Sequence, residues 1–414
     1  APQGRLAATS SLLAPCSSLL ARARRRDEPL MLQLRSSVTR GSGGDGIVEL
    51  SLASVPIPEP KPKEVVVRMD AAPLNPSDMS LILAHADLST LQRSAGGALS
   101  ARIPAERMGA LEARVGKSMS AGNEGGGVVV RAGDSDQARA LLGKVVGCIG
   151  GEMYSQYRVI HSAACQPMPE GVTPAEASSW FVNPMAALLM LETMRMEGHK
   201  ALVLSAAASN MGRMLNRACL KDGVPLVNIV NERLSPGDAK VLRDLGAAYV
   251  VDQSSASFVD DLTTALVETG ATVAFDAVGG GELCGQILSC MQLAANRRGA
   301  EFSIYGGPGP LQVYVYGGLA PGPIVIDRTP PLNMHWSAGG WLVQTVMQKI
   351  GPANAKKLRE RAGREINTTF ACTYTKEVSM EDLLDPEVVR TFMSTKTGGK
   401  YLLCPHRGST PAKL

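Results

Sequence analysis

Residues 201–230 read ALVLSAAASNMGRMLNRACLKDGVPLVNIV. The apolar run ALVLSA predicts a buried strand, small residues follow as a turn, residues 211–222 have helical periodicity, and PLVNIV predicts a second strand. Alternation of strand, helix and strand is typical of a parallel sheet with helices on both faces. The stretch therefore predicts a doubly wound α/β domain.

The same alternation continues toward the C-terminus. We assign residues 186–345 to a Rossmann domain with a doubly wound parallel sheet, and residues 346–414 to a return into the first domain followed by a C-terminal tail. The further elements expected in this part of the chain are helices at 236–245, 258–269 and 281–295, strands at 249–252, 272–278 and 312–317, a helix at 339–350 and a polar helix to about residue 363.

Residues 42–185 have a different pattern. Short strands alternate with turn-rich or proline-rich segments, which indicates a partly open β-barrel. Thr173, Pro174 and Glu176 form a capping-box pattern, so a helix is expected from there to about Arg195. The strands expected in the barrel lie at 47–52, 64–69, 125–131 and 144–149.

The composition is that of a globular protein, with 45% apolar residues, 19% charged residues and a net charge of +4. No basic stripe suited to nucleic acid is present, and no apolar run is long enough for a transmembrane helix. The eight cysteines include no CxxC pair and no Cys/His cluster with metal-ligand spacing. Free thiols and no bound metal are therefore expected.

The N-terminal segment differs from the rest of the chain. Residues 1–26 contain no acidic residue, and their five arginines lie among serines, alanines and leucines. This composition is typical of an organelle transit peptide and favours a mitochondrial location, with a plastid as the alternative. A segment this basic becomes ordered only when a partner offsets the lost chain entropy. Residues 1–41 are therefore interpreted as a targeting-like tail, and subunits of a mitochondrial complex are its candidate partners.

The turn SAAASNMG at residues 205–212 is the first candidate ligand site. Of a GxGxxG pattern only Gly212 remains, but small side chains still let backbone N–H groups approach a phosphate at a helix N-terminus. A tight turn without a ligand is the alternative. The residues expected to contact a pyrophosphate are Ala207, Ser209, Asn210, Met211 and Gly212.

The tip of the second strand, Asn231-Glu232-Arg233, is expected to contact the ribose of such a cofactor. An acidic residue at this tip binds a ribose 2′-hydroxyl, whereas an arginine accepts a 2′-phosphate. Glu232 does not directly follow the strand and Arg233 can reach a phosphate. NADP(H) is therefore favoured over NAD(H), and an ordinary solvated loop is the alternative.

Two later strand ends carry small residues that let a cofactor pass closely. Several such ends on one edge of a sheet favour a dinucleotide site more than any one of them does. The expected contacts are Asp276, Val278 and Gly279 after one strand, and Gly317, Gly318 and Leu319 after the next.

Together with other motifs, these stretches resemble the medium-chain dehydrogenase/reductase superfamily, on its quinone-reductase and enoyl-reductase side. The resemblance implies a GroES-like catalytic barrel, a Rossmann domain that binds a nicotinamide cofactor, and cofactor contacts from Asn75, Ala186, Asn231 and Lys400. The motifs run in family order and include PIPEPKPKEVVVRMDAAPLNPSD (56–78), GNEGGGVVV (122–130), PEGVTPAEA (169–177), VNPMAAL (182–188), LGAAYVVD (245–252), AFDAVGGG (274–281), VYGGL (315–319) and GGKYLL (398–403).

Some positions depart from the family pattern. Asn75 and Asn123 stand where zinc-dependent relatives have a cysteine and a histidine, so no zinc is expected. Ala186 stands where relatives have a threonine that seats the nicotinamide. The tyrosine proton donor of enoyl reductases is missing, which leaves His85, Tyr154 and Asn75 as the catalytic candidates. The alternatives are a solvated loop residue for His85, a packing residue for Tyr154 and a loop-orienting residue for Asn75.

Two functions remain open at this point. The first is an NADP(H)-binding reductase of an organelle that transfers hydride to a quinone or to a conjugated carbonyl or enoyl substrate. The second is a catalytically weak or inactive accessory subunit of a large mitochondrial membrane complex, in which a bound cofactor only stabilises the fold.

Overall fold

Three β-sheets form the framework of the chain. The structure is a computed structural model that describes residues 29–299, 310–320, 322–327, 335–394 and 399–408. Two sheets, largely antiparallel, belong to the first domain, and the third is entirely parallel and forms the second.

The first domain is built mainly from the N-terminal part of the chain. Its helices are α1 (Pro76–Ile82), α2 (Ala105–Met108), α3 (Asp136–Arg139) and α4 (Pro174–Ala177). Its strands are β1 (Leu30–Arg40), β2 (Gly46–Pro56), β3 (Glu64–Pro73), β4 (Gln92–Arg93), β5 (Leu99–Ile103), β6 (Ser118–Ser120), β7 (Glu124–Ala132), β8 (Val145–Ile149), β9 (Tyr157–His161) and β10 (Cys165–Pro167). One sheet has the order β4-β5-β2-β1-β6, the other runs β10-β8-β7-β3, and β9 pairs with β3.

The second domain holds the six-stranded parallel sheet. Its helices are α5 (Val182–Met196), α6 (Asn210–Asp222), α7 (Asp238–Asp244), α8 (Phe258–Thr269), α9 (Leu283–Arg297) and α10 (Val343–Arg364). Its strands are β11 (Leu202–Leu204), β12 (Leu226–Val230), β13 (Tyr249–Asp252), β14 (Val273–Asp276), β15 (Leu311–Val315) and β16 (Trp336–Gly340). The order β13-β12-β11-β14-β15-β16 is the doubly wound order of dinucleotide-binding sheets. The predicted fold class is therefore confirmed.

Side chains on the two faces of this sheet enter different hydrophobic clusters. Phe275 of β14 packs in the cluster that includes α5, α6 and α10, and its neighbour Ala274 packs with α8 and α9. Successive residues of a strand point to opposite faces, so helices cover the sheet on both sides. The reversal of strand order between β11 and β14 creates the crevice where such sheets bind ligands.

The chain then returns to the first domain. The returning elements are β17 (Lys376–Val378), α11 (Pro386–Ser394) and β18 (Tyr401–Leu403). β18 pairs with β3, with Leu403 opposite Ala72, and so extends the sheet that β3 shares with β7 and β8. The end of the chain therefore lies beside one of the first strands of the barrel.

Residues 30–40, which the sequence analysis assigned to the tail, form strand β1. This strand pairs with β2 along its whole length, and Leu34 and Val38 are fully buried. Polar residues between them hide the alternating pattern, and the structure gives one of them, Ser36, a buried hydrogen bond to the carbonyl oxygen of Ile82 at 2.6 Å. The tail boundary at residue 41 is thus wrong. Residues 1–28 lie outside the described part of the chain.

Two predicted helices also differ from the structure. The helix expected from Thr173 to about Arg195 is interrupted between α4 and α5, because the backbone N–H groups of Phe181 and Val182 donate to the Glu124 carboxylate. The helix expected at 339–350 begins at Val343, after the unpredicted strand β16. It runs to Arg364 across a kink at Gly351, so the predicted separate polar helix is its second half.

Helix α10 packs in the cluster of the second domain, as Val346 and Ala362 show. The core of that domain therefore extends beyond the boundary that the sequence analysis placed at residue 345. No helix within the described residues is both long enough and apolar enough to cross a membrane.

Candidate functional site: a dinucleotide crevice and a buried junction

The turn between β11 and α6 has the geometry of a phosphate-binding turn without its usual glycines. Ala206 has a φ of 47°, the left-handed conformation that glycine normally provides. Ser209 is the N-cap of α6, and its hydroxyl oxygen accepts a hydrogen bond from the backbone N–H of Gly212 at 3.2 Å. Asn210 and Met211 form the first turn of the helix. The turn thus directs a helix N-terminus toward the carboxyl edge of the sheet.

Gly212 is required here because α6 begins directly against the turn. A Cβ atom at this position would lie 2.1 Å from the carbonyl oxygen of Ala207. A larger residue would therefore push the start of the helix away from the sheet. This contact corresponds to the close helix–strand packing that the last glycine of a GxGxxG motif permits.

A buried pair of amide side chains, Asn216 and Asn228, holds α6 against strand β12. The Nδ2 group of Asn216 donates to the carbonyl oxygen of Gly212 at 3.0 Å and to Oδ1 of Asn228 at 2.6 Å. Nε of Arg213 donates to the carbonyl oxygen of Ala208 at 2.7 Å. The sequence analysis missed these residues, although a polar Asn228 inside the buried strand LVNIV was the signal that could have found the pair.

A cavity of about 280 Å³ opens at this edge of the sheet. It brings together the first turn, the tip of β12 and the loops after β14 and β15, which are distant in sequence. Its lining includes Ala206, Val230, Asn231, Ser235, Val278, Gly280 and Leu319. Among the residues expected at the site, Asn231, Val278 and Leu319 therefore line the cavity.

Glu232, the acidic residue at the tip of β12, caps a helix and is not free to bind a ribose. The two carboxylate oxygens of Glu232 accept hydrogen bonds from the backbone N–H groups of Gly237 and Ala239, at 2.7 and 2.6 Å, and so cap α7. Arg233 is exposed and does not line the cavity. Lys240, which could assist it, forms an ion pair with Asp244.

Asp276 connects the first turn to the end of β14. Its Oδ1 accepts a hydrogen bond from the Ser205 hydroxyl at 2.6 Å and from the N–H of Val278 at 2.8 Å, and its Oδ2 accepts one from the N–H of Gly279 at 3.2 Å. The Ser205 oxygen in turn accepts from the N–H of Ala277. Asp276 is fully buried. Its hydrogen bonds hold the turn after β11 and the turn after β14 together.

The glycines after β14 and β15 allow these two strand ends to approach each other. Gly279 has a φ of 77°, and a Cβ on it would lie 2.4 Å from the carbonyl oxygen of Gly317. A Cβ on Gly317 would lie 2.5 Å from the carbonyl oxygen of Ala277. Gly318, by contrast, has open space where a side chain would be.

The other candidate residues meet where the two domains join. Asn75, the N-cap of α1, donates through Nδ2 to Oδ2 of Asp78 at 3.0 Å and to Oε1 of Glu124 at 3.2 Å. Oδ1 of Asp78 accepts from the backbone N–H of Asn123 at 2.9 Å. Together with Lys400, we call Asn75, Asp78 and Glu124 the junction cluster.

Both carboxylates of the junction cluster are buried. Burial raises the pKa of Asp78 to about 6, against the opposing effect of its hydrogen bond from Asn75. Burial also raises the pKa of Glu124, and the positive charge of Lys400 opposes that rise. Lys400 is only 5% exposed, and its ammonium has no hydrogen-bond partner among the described residues.

The two catalytic candidates differ in their environment. Tyr154 is fully buried and its hydroxyl donates to the carbonyl oxygen of Pro73 at 3.1 Å. Burial raises its pKa well above the usual value. His85 is exposed, and with Ala84 it forms a pair of left-handed residues directly after α1. Ala186 lies on α5, one turn after its start, and is largely buried.

Metal ligands do not converge in the described residues. No three His, Cys, Asp or Glu side chains come together there in a group that could hold a metal ion. Asn75 and Asn123 present amides where zinc would need a thiolate or an imidazole. The expectation that the chain holds no zinc stays a prediction.

Comparison with known proteins gives relatives of two kinds. No protein-family model matches the chain. The mitochondrial enoyl-[acyl-carrier-protein] reductase of Xenopus tropicalis is 28% identical over 215 residues, which are 51% of this chain. The chain spans about half the length of this relative, since the match covers 54% of it.

Solved structures resemble the chain over most of its length. A Mesorhizobium loti protein assigned as an NADPH:quinone reductase is 21% identical, with a TM-score of 0.66, and 91% of this chain covers 99% of it. A mycobacterial protein solved in complex with NADPH is 17% identical, with a TM-score of 0.59, and 91% of this chain covers all of it. The chain therefore has the two-domain fold of quinone reductases, and its resemblance to the quinone- and enoyl-reductase side of the medium-chain dehydrogenase/reductase superfamily is confirmed.

Proposed function

We propose that the chain is an NADPH-dependent reductase of a quinone or of a conjugated carbonyl or enoyl compound. The observation that carries the proposal is the crevice at the carboxyl edge of the parallel sheet, where the start of α6, the tip of β12 and the loops after β14 and β15 converge on one cavity. A solved NADPH complex among the structural neighbours supports the choice of cofactor.

The residues present fit a dinucleotide. The cavity suits the adenosine half, with Asn231 and Leu319 on its wall, and Arg233 is the candidate for the 2′-phosphate. The N-terminus of α6 suits the pyrophosphate, because no side chain beyond Cβ stands between Ala206 and Ala208. The N–H groups of Ala207 and Ser209 already donate to the carbonyl oxygens of Ile229 and Ala206, so the first turn of α6 itself would supply the donors. Gly317 and Gly318 would border the nicotinamide half.

The junction cluster fits the reacting end of the cofactor. Asn75 and Ala186 would flank the nicotinamide, and Lys400 would place a positive charge near this end of the cofactor. NADPH, when bound, supplies the hydride. The substrate would lie between the two domains.

The proton that completes the reduction needs a separate source. Tyr154 does not suit this role, because its hydroxyl is buried and engaged with the carbonyl oxygen of Pro73. His85 is the candidate that we retain, since it is exposed on the loop after α1. A general acid contributes about 10²–10⁴-fold to rate, so a solvated donor in this position favours a slow enzyme.

A mitochondrial location is part of the proposal. It is supported by the tail composition and by the names of the enoyl reductase relatives. Docking of the tail on a mitochondrial complex stays a prediction from sequence, because residues 1–28 lie outside the described part of the chain.

Turnover tests this proposal directly. The full chain is mixed with NADPH and either a benzoquinone, an enone or a trans-2-enoyl thioester, and oxidation is followed by the loss of nicotinamide absorbance. We expect NADPH oxidation that depends on at least one of these acceptors. Binding of NADPH without any oxidation would instead favour the accessory-subunit alternative, and no binding would refute both forms of the proposal.

A further inference from the structure

Glu124 is a fully buried carboxylate that contacts both domains at once. It begins β7 of the first domain, and its relative exposure is 0%. Oε1 accepts from the Nδ2 group of Asn75 at 3.2 Å, and Oε2 accepts from the backbone N–H groups of Phe181 and Val182, at 3.1 and 2.8 Å. One side chain thus joins the loop before α1 to the first residues of α5.

These hydrogen bonds occupy the N-terminus of α5, where no other side-chain cap is present. The N-cap residue Phe181 makes no side-chain capping bond. A carboxylate at a helix N-terminus satisfies orphan N–H groups and complements the helix dipole. Glu124 therefore acts as the cap of α5, although it lies on a strand of the other domain.

Burying a charge is costly unless it is paired and hydrogen-bonded. Titratable groups from several other segments interact with Glu124. Asp78 and Tyr154 add like charge or a buried phenol, Tyr374 faces it from the segment that returns to the first domain, and Lys400 supplies the one opposing charge among these groups. A cap for α5 alone would not require this arrangement.

The elements that Glu124 joins carry the two residues expected beside the nicotinamide. Asn75 is bonded to it directly, and Ala186 lies one turn into the helix that it caps. We infer that Glu124 is a positioning residue that fixes Asn75 and α5 relative to each other, and thereby sets the position of the nicotinamide for hydride transfer. The inference rests on the proposed function.

A charge-removing variant tests the inference. Glu124→Gln keeps the shape of the side chain but has one acceptor oxygen instead of two, so either Asn75 or the α5 N–H groups lose their partner. A misplacement of about 1 Å can reduce a rate about 100-fold, and we expect kcat to fall about 10- to 100-fold. The dissociation constant of NADPH should change by less than about threefold, because most of the binding energy comes from the distant adenosine and pyrophosphate sites.

A second readout does not depend on turnover. The fluorescence emission of bound NADPH reports the environment of the nicotinamide, and it should change in Glu124→Gln at saturating NADPH. Glu124→Asp is the second variant. It keeps the carboxylate that faces Lys400 but is one methylene too short to reach both Asn75 and the N–H groups at the start of α5. It should fold if Glu124→Gln does not, and it should show the same separation of kcat from NADPH affinity.

Glu176→Gln is the matched control. Glu176 also caps a helix, accepting from the backbone N–H of Thr173 at 2.7 Å, but its other hydrogen bonds, with the Thr173 hydroxyl and with Asn367, reach neither Asn75 nor α5. This variant should leave kcat and the emission of bound NADPH as in the wild type. If the wild type binds NADPH and the two Glu124 variants match it in both readouts, the positioning role is wrong. If the wild type binds no NADPH, the proposed function fails first and the inference falls with it.

Discussion

The two ends of the candidate site are built by opposite means. At the carboxyl edge of the parallel sheet, the site is made by small residues, the alanines at 206–208 and Gly212, and again Gly279 and Gly317. At the junction cluster it is made by side chains that are charged, buried and mutually bonded. The first end depends on local geometry, and the second depends on residues brought together from distant parts of the chain.

This difference has a functional consequence. A turn built from small residues still lets a phosphate approach the start of a helix, so cofactor binding can survive the loss of the usual glycines. A buried network tolerates little, because removing one partner leaves another unsatisfied. Substitutions at the sheet edge should therefore change affinity, and substitutions at the junction should change stability and rate.

The largest effect is expected for Gly212→Val. Its Cβ would lie 2.1 Å from the carbonyl oxygen of Ala207, so α6 must move away from the turn. We expect the affinity for NADPH to fall by about 100-fold or more, which is about 2.7 kcal/mol, as measured by calorimetric titration. Gly109→Ala is the control, since Gly109 has a helical φ and open space around its Cβ position. Wild-type affinity for NADPH in Gly212→Val would show that the turn between β11 and α6 does not bind the cofactor.

A second prediction concerns Asp78 and pH. Because burial raises its pKa to about 6, the folded chain binds more protons than the unfolded chain between about pH 4 and pH 6. Its contribution to the free energy of unfolding is therefore full below about pH 4 and is lost as the pH rises through 6, by up to about 3 kcal/mol.

Asp78→Asn measures this contribution. Urea unfolding at pH 4.5 and at pH 7 should show a smaller pH-dependent loss of stability in the variant than in the wild type. The variant keeps an acceptor for the Asn123 N–H but loses the one for the donors of Asn75. That loss is the same at both pH values, so the difference between the two pH values isolates the titration. Parallel pH profiles in the two proteins would mean that Asp78 does not titrate in this range, and the claim that burial raises its pKa would be wrong.

The smallest effect is expected at the ribose. Arg233 is exposed and lies outside the cavity lining, so a contact with a 2′-phosphate would be solvated. Arg233→Ala should reduce the preference for NADPH over NADH by about tenfold, which is about 1.4 kcal/mol. Lys240→Ala is a useful comparison, because the Lys240 ammonium is already paired with Asp244. Equal affinities for NADPH and NADH in the wild type would contradict this assignment.

Sequence reasoning found the sheet-edge end of the site because its signals are local. Strands β11 to β15 follow from apolar runs and helical periods, and the first turn follows from a run of small residues. The same reasoning missed β1, where arginines and serines alternate with Leu34 and Val38, and β16, which consists of Trp336 and small or polar residues.

The junction cluster could not be predicted in the same way. Asn75 and Glu124 are 49 residues apart, and Glu124 meets the start of α5 another 57 residues later. No periodic pattern links positions that are so far apart in sequence, and a glutamate at the start of a strand gives no sign that it will be buried. The interruption between α4 and α5, which the capping-box pattern did not predict, has the same long-range cause.

Hydrogen exchange of the full chain, with and without saturating NADPH, tests the central claim most directly. If the cofactor binds at the carboxyl edge of the parallel sheet, the amides of residues 205–212 and 277–281 should exchange more slowly with NADPH, and peptides from β4 and β5 should not change. Unchanged exchange in both of these segments at saturating NADPH, or protection confined to other parts of the chain, would contradict the account.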